Sequence, residues 1–201
     1  MNQIQARWRT GFTLIELMVV VALVGIILAL AAPSFSRTIE MQRLRGVNAQ
    51  LVTDMQFARS EAVSRNSLMR VSFGSDATQS CYVVYVAAPG NISDRCDCTR
   101  GAGQSCTALV DFVEVRTATI LASTSVKVAP FVGPLNDDTI AFDPATGGLL
   151  STPIDRFARP ALGFWIDVWL DNDRKLRTEL NLAGRPKVCK PAGATMAEAA
   201  C

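Results

Sequence analysis

The sequence contains no histidine. Histidine is the usual general base of enzymes and the commonest metal ligand, so its absence argues against hydrolytic and metal-dependent chemistry. The sequence also lacks a nucleophile motif and a glycine-rich loop that would cradle phosphate. We therefore expect no enzymatic activity, no cofactor and no bound metal.

The chain has little net charge. Its 20 basic and 18 acidic side chains give a formal charge of +2, and Arg7 and Arg9 account for the surplus. The remaining side chains balance, so the protein has no global positive field and attracts nucleic acid only through a local patch.

Charged residues are almost absent from residues 12–36, where Glu16 is the only one. Residues 17–32 are apolar throughout, and with their flanks they are long enough to cross a bilayer core of about 30 Å. Arg7 and Arg9 precede this segment, so the positive-inside rule predicts a cytoplasmic N-terminus and a translocated remainder.

Three interpretations of this segment compete. A secretory signal peptide would be cut after the apolar run, for example at residues 29–31 (ALA), and a plain anchor would not be cut. The third interpretation is cleavage before the run, at Gly11. Glu16 favours the third, because a carboxylate inside a membrane costs about 2.5–3.5 kcal/mol and marks a functional site. A new α-amino group on Phe12 would lie one helical turn before Glu16 and could neutralise the carboxylate of a neighbouring subunit.

The sequence GFTLIELMVVVA, from Gly11 to Ala22, resembles the class III signal of type IV pilins and type II secretion pseudopilins. The resemblance implies that a prepilin peptidase cuts after Gly11 and that the Phe12 amine is methylated. It also implies that Glu16 acts in assembly with other major and minor pilins.

A long helix is predicted from residue 12 to about residue 66. Its first part, 12–36, is the membrane or filament-core segment, and Gly25 and Pro33 lie within it. In similar pilins this stretch can unwind in the filament, so the resemblance implies a flexible segment of the helix at Gly25 and Pro33. The second part, 37–66, is amphipathic and is expected to pack on a sheet. Its apolar stripe is formed by Leu44, Val47, Leu51, Met55, Ala58 and Ala62.

Residues 67–201 are predicted to form one β-rich head after the leader (1–11) and the two helical segments. The strand signals are β-branched or alternating runs bounded by turn residues. They occur at Leu68–Phe73, Tyr82–Val86, Val110–Val115, Val126–Val132 and Thr139–Phe142, and in a hairpin with strands at 164–170 and 176–182. The fold class expected is α+β, a long N-terminal helix packed on an antiparallel sheet, as in pilins.

A second resemblance is carried by three segments of the head. Phe57–Asn66, Thr139–Phe142 with its following glycine turn, and Leu182–Cys189 are similar to landmarks of GspH/FimT-type minor pilins. The resemblance implies a low-abundance subunit that initiates or tips a pilus, with its head in the periplasm before assembly. A minor pseudopilin of a type II secretion system, with the same leader and fold, is the alternative.

All six cysteines follow the apolar segment, as expected of disulfides in an oxidising compartment. Cys189 and Cys201 enclose a short loop that can close, and pilins often carry a disulfide near the C-terminus. Cys81, Cys96, Cys98 and Cys106 surround another loop. Cys96 and Cys98 are too close to bond easily, so each is expected to pair with Cys81 or Cys106, in an order that the sequence leaves open. Zinc is the competing interpretation, but the spacing matches no common zinc pattern.

Six basic residues near the C-terminus are the candidates for ligand binding, as a surface that neutralises phosphates. They are Arg174, Lys175, Arg177, Arg185, Lys187 and Lys190. Some FimT-type proteins are receptors for double-stranded DNA and use a Gly-Arg-x-Arg motif. Residues 184–187 (GRPK) match it, except that lysine replaces the last arginine and cannot form a bidentate contact. Trp165 and Trp169 share one strand face and are expected either to be packed or to stack on a partner.

Overall fold

The protein was analysed as a computed structural model, which describes residues 11–88, 94–130, 139–150 and 164–201. The side chains of residues 30–34 lie outside this description. The chain forms two compact units, which divide between Ile39 and Glu40.

One helix, α1, extends from Leu14 to Arg65, close to the predicted bounds. It ends at Asn66, which has a positive φ of 48°, a conformation that asparagine tolerates better than most residues. The amide of Ser67 donates to the Ala62 carbonyl at 3.2 Å, and the amide of Asn66 donates to the Val63 carbonyl at 3.3 Å. These two bonds are those of a Schellman cap, which satisfies the last carbonyls of a helix.

The described strands form two antiparallel sheets. The first has five strands in the order β3-β2-β1-β5-β6, and the second has four in the order β4-β7-β8-β9. The strands are β1 Met69–Ser75, β2 Gln79–Val86, β3 Val113–Leu121, β4 Lys127–Pro130, β5 Thr139–Phe142, β6 Leu149–Leu150, β7 Phe164–Trp169, β8 Lys175–Leu180 and β9 Pro186–Cys189.

The strand prediction was wrong in three places. The third strand begins at Val113 rather than Val110 and continues to Leu121, and the short edge strands β6 and β9 were not predicted. The predicted strand at 126–132 corresponds to β4, Lys127–Pro130, and its last two residues lie outside the described part of the chain. Short edge strands carry little alternation, which explains why β6 and β9 leave a weak sequence signal.

The second half of α1 packs on the inner faces of the sheets, as the apolar stripe predicts. Leu44, Leu51, Met55, Ala58 and Ala62 are fully buried, and Val47 packs partly against the same core. From the sheets, the largest fully buried partners in this core are Tyr82, Phe142, Met69, Ile166, Leu176 and Leu180. The fold is therefore α+β with one main core between the helix and the sheets.

A smaller apolar cluster lies on the opposite face of the first sheet. The loop before β3 covers that face, and Tyr85 and Phe112 approach with ring centroids 5.8 Å apart. Disulfides Cys81–Cys98 and Cys96–Cys106 hold the loop, with Cα–Cα distances of 5.8 Å and 4.6 Å. A glycine- and serine-rich loop has high conformational entropy, so covalent closure is needed to keep it ordered.

Among the residues that the structure describes, no helix combines the length and the apolar content needed to span a bilayer.

Candidate functional sites

The candidate processing and assembly residues of the N-terminal segment are exposed on the first unit. Gly11 is exposed, and Phe12 has 83% of its side chain accessible. Thr13 caps α1, because its hydroxyl accepts from the Glu16 amide at 3.3 Å. A threonine followed three residues later by glutamate is the pattern of a capping box. Glu16 is therefore fixed in the first turn of the helix, with its side chain exposed.

The helix beyond Glu16 is apolar around its whole circumference. Every large hydrophobic side chain from Leu14 to Leu28 is at least 48% exposed. Gly25 lies in this stretch, and a Cβ built there would contact nothing within 4 Å. Pro33 is inside α1, but its side chain is outside the description. An all-apolar helix is stable in water only when another molecule covers it.

The six basic candidates occupy several places on the second unit. Arg174 follows the turn after β7 and is held by two acids, Glu40 of α1 at 2.5 Å and Asp171 at 2.7 Å. Arg177, on β8, makes a bidentate pair with Asp167 at 2.7 and 2.9 Å and lies 5.6 Å from the centre of the Trp165 ring. These two guanidinium groups are largely neutralised by their partners.

The other four basic candidates differ in their contacts and positions. Lys190 donates to the carbonyl of Met196 at 3.1 Å. Lys175 and Lys187 lie near opposite ends of the outer face of the second sheet and form no ion pair within the described residues. Arg185 is exposed in the turn between β8 and β9, away from that face.

A cation–tryptophan–cation row crosses three strands on the outer face of the second sheet. Lys127 on β4 is the register partner of Trp169, and Trp169 is in turn the partner of Lys175 on β8. Side chains at opposed positions of antiparallel strands lie on the same face, with Cβ atoms about 4.5–5.5 Å apart. Sequence reasoning missed Lys127, which is 42 residues from Trp169 in the chain and adjacent to it only through strand pairing.

A shallow groove of about 650 Å³ lies beside the end of α1. Arg59 of the helix and Arg185 of the β8–β9 turn both line it. Gly184 has a positive φ of 71°, and a Cβ at this position would lie 2.4 Å from the Gly147 carbonyl oxygen. Only glycine fits here, so this part of the Gly-Arg motif has a structural role.

A buried polar network links α1 to the first sheet. Asp54 is fully buried; it accepts from the Tyr82 hydroxyl at 2.7 Å and pairs with Arg116 at 2.8 Å. Burial, together with the hydrogen bond to Asp54, raises the pKa of Tyr82. A buried carboxylate needs such partners, because an unpaired charge in a protein core is strongly destabilising.

The C-terminal tail is closed by a disulfide between Cys189 and Cys201, with a Cα–Cα distance of 5.0 Å. Glu179 lies close to both sulfur atoms, and this is the only metal-like group of acidic and sulfur ligands among the described residues. Because both cysteines are bonded to each other, neither supplies the thiolate that a metal would require.

Comparison with known proteins identifies the family of the chain. The family model for the type II transport protein GspH matches residues 48–182, which is more than half of the sequence. The chain belongs to the GspH family. A model for the prokaryotic N-terminal methylation motif matches residues 9–32.

Two solved structures are similar to this chain. Both are crystal structures of the type IV minor pilin FimU of Pseudomonas aeruginosa (strain PAO1). One is 16% identical, with a TM-score of 0.49, and the match covers 78% of this chain and 95% of that chain. The other is 16% identical, with a TM-score of 0.46 and coverages of 77% and 98%.

Membership in the GspH family assigns the chain to the minor pilins and pseudopilins, which are structural subunits and not enzymes. Such subunits are made with an N-terminal methylation motif and assemble with other pilins. The GspH match includes Arg59 and Asp54 of α1 but ends before Arg185 and the C-terminal disulfide.

Proposed function

We propose that this chain is a minor pilin of a type IV pilus, which helps to initiate or tip the filament. The observation that carries the proposal is the all-round apolar surface of α1 from Leu14 to Leu28, joined to a single carboxylate at Glu16. Packing against other pilin helices would bury that surface, and at about 25 cal/mol per Å² of apolar area the gain is large.

In this proposal the chain is organised in four parts. Residues 1–11 are a leader removed by a prepilin peptidase, and residues 12–36 anchor the subunit in the inner membrane before assembly. Residues 37–66 form the amphipathic helix, and residues 67–201 form the periplasmic head. Hydrolysis of the Gly11–Phe12 bond leaves a free amine on Phe12, which is then methylated by a separate methyl donor, and this amine neutralises Glu16 of a neighbouring subunit inside the filament.

The first experiment is recovery of the full-length protein from cells and determination of its N-terminus. The proposal expects a mature chain that begins with methylated Phe12. A chain that begins at Ala32, or one that retains residues 1–11, contradicts it.

A second experiment tests Glu16 in the assembled state. Glu16→Gln should remove the subunit from sheared filaments and leave it in the membrane fraction, because the charge pair with the Phe12 amine of the neighbouring subunit is lost. Glu61→Gln is the matched control, since Glu61 lies in the same helix and its described ion pair is with Arg65 on the surface. Equal loss in both variants would argue against a specific role of Glu16.

A minor pseudopilin of a type II secretion system is the alternative, with the same helix chemistry. A deletion strain separates the two. Loss of surface filaments with normal protein secretion supports the pilus, and loss of secretion with normal filaments supports the pseudopilus.

DNA capture is a second candidate function, favoured by the row Lys127–Trp169–Lys175. Two ammonium groups on either side of an indole can neutralise neighbouring phosphates of a DNA backbone. Full-length protein in detergent micelles would be titrated with double-stranded DNA at several salt concentrations. Binding that weakens with salt and falls in the Lys127→Ala/Lys175→Ala variant supports capture at the row. A fall only in Arg185→Ala/Lys187→Ala moves the site to the turn, and no binding at low salt excludes this function.

A further inference from the structure

The groove beside the end of α1 is bounded by three parts of the second unit. Helix residues Gln56, Arg59, Ser60 and Val63 form one wall. The turn after β5 and the turn between β8 and β9, with Arg185, form the others. Arg185 is also one of the six candidates for DNA binding, but the helix wall and the turn after β5 belong to no feature assigned above.

The groove is held in shape by contacts to the backbone carbonyl of Gly147, and these do not depend on a ligand. Arg59 donates its Nε proton to the Gly147 carbonyl at 3.1 Å. Gly184 packs directly on the same carbonyl, so the two turns and the helix meet at one point. A preorganised site binds a ligand without an additional ordering cost.

The lining carries positive charge and no acid. Arg59 and Arg185 are its two charged residues, and neither forms an ion pair in the described part of the chain. Arg59 uses its Nε proton on Gly147, which leaves the terminal nitrogens of its guanidinium group as donors. Charged donors of this kind bind carboxylates and phosphates.

The residues around the groove favour a ligand with a single negative charge over a polyanion. Glu61, the next residue on α1, pairs with Arg65. Asp143 lies beside the groove, where the hydrogen bond from the Thr146 side chain lowers its pKa and keeps it ionised. Because Arg65 offsets the charge of Glu61, the repulsion comes from Asp143, whose charge near the two cations disfavours a polyanion such as a nucleic-acid backbone. The half-exposed side chain of Val63 offers an apolar wall to the methylene groups of a carboxylate side chain.

We propose that the groove between Arg59 and Arg185 binds an acidic side chain, an aspartate or glutamate, of a neighbouring pilin subunit. This inference rests on the proposed role as an assembled subunit, and it assigns to the head a contact that is separate from the apolar helix. The salt-sensitive contact would orient the head, while helix packing supplies the affinity.

The test uses the full-length chain in detergent micelles, with ¹⁵N-labelled arginine observed at Nε by NMR. The probes are the blocked peptides acetyl-Gly-Glu-Gly-amide and acetyl-Gly-Gln-Gly-amide, and inorganic phosphate at matched ionic strength. The Glu peptide should shift the Arg59 and Arg185 signals saturably, and the Gln peptide should not. Arg185→Ala should weaken binding about tenfold, and Arg185→Lys should weaken it less. Arg100→Ala, which removes an exposed arginine of the disulfide-closed loop, should leave it unchanged.

Three results would overturn the proposal. They are the absence of a saturable shift, an equal response to the Gln peptide, and unchanged binding by Arg185→Ala. Phosphate binding tighter than that of the Glu peptide would replace the carboxylate with a phosphate ligand. Because the peptide assay does not require assembly, its failure in a protein that still enters filaments overturns only the groove. Peptide binding by a protein that never enters filaments overturns the assembly role and, with it, the neighbouring pilin as the source of the carboxylate.

Discussion

The two halves of helix α1 differ in what covers them. From Leu14 to Leu28 the large apolar side chains are all exposed, and Glu16 is the one charged residue among them. From Leu44 to Ala62 one apolar stripe packs against the chain's own sheets, with Leu44, Leu51, Met55, Ala58 and Ala62 fully buried and Val47 partly buried. A periodic stripe can be satisfied within one molecule, whereas an all-round apolar surface requires other molecules.

Polar side chains follow the same division. In the second half, Asn48 bonds to Thr178 of β8 at 3.0 Å, and Asp54 bonds to Tyr82 and Arg116. In the first half, Glu16 makes no described side-chain contact. The helix therefore joins a region specified by internal contacts to a region in which the described residues give the Glu16 carboxylate no partner.

A large loss of stability is expected from removing the acid of the buried half. Asp54→Ala leaves the buried Tyr82 hydroxyl without its acceptor and the Arg116 guanidinium, which is 46% exposed, without its acid. Because water can solvate the freed guanidinium, the expected loss is about 3 kcal/mol, the lower end for a buried pair. Urea unfolding of the full-length protein in micelles, followed by tryptophan fluorescence, measures the change. Glu16→Ala is the matched acid in the other half and should leave the midpoint unchanged. A similar loss in both variants would show that the halves are not independent.

The sequence predicts this division well. The apolar run, Glu16 and the stripe are local patterns, and they define the helix and its buried face. The partners of that face come from long-range strand pairing, which local patterns do not encode, so Arg116 and Lys127 were not identified. One signal was present: Asp54 lies three residues after Leu51, inside the stripe, where a charged residue indicates a buried partner.

The cysteines and basic residues show the same limit. Spacing left the partners of Cys81 and Cys106 open, and the pairing follows from the path of the loop over the first sheet. The six basic residues lie close together in the sequence, between positions 174 and 190. Strand alternation and the β8–β9 turn distribute them over different surfaces. Acids from other elements, such as Glu40 of α1, then neutralise some of them.

Matched leucine-to-alanine substitutions compare the two halves. Leu51→Ala removes a fully buried side chain and should lower the free energy of unfolding of the head by about 2–5 kcal/mol. Leu23→Ala, at a position that is 55% exposed, should change it by less than about 0.5 kcal/mol. The same urea titration measures both. If Leu23→Ala destabilises the head as strongly, the first half also contributes to its core.

The disulfide Cys189–Cys201 offers a smaller test at the start of the buried half. The tail that it closes carries Glu198, which bonds to Arg45 of α1 at 3.1 Å. The Cys189→Ser/Cys201→Ser variant should lose about 2–4 kcal/mol, and amides of α1 between Glu40 and Val47 should exchange faster with deuterium. The Cys96→Ser/Cys106→Ser variant is the control. It should loosen its own loop and leave those helix amides protected, and equal deprotection in both variants would remove the link between the tail and the helix.

The smallest effect is expected for the ion pair itself. The side chains of Arg45 and Glu198 are 42% and 25% exposed, so solvent screens their attraction and Glu198→Gln should cost only about 0.2–1 kcal/mol. The loss should shrink further in high salt, because the Debye length falls to about 3 Å at 1 M. Urea titrations at low and high salt check both points. A loss as large as that of the disulfide variant would mean that the charge, rather than the covalent closure, holds the tail on the helix; a much smaller loss assigns that role to the disulfide and to buried Met196, which packs into the main core.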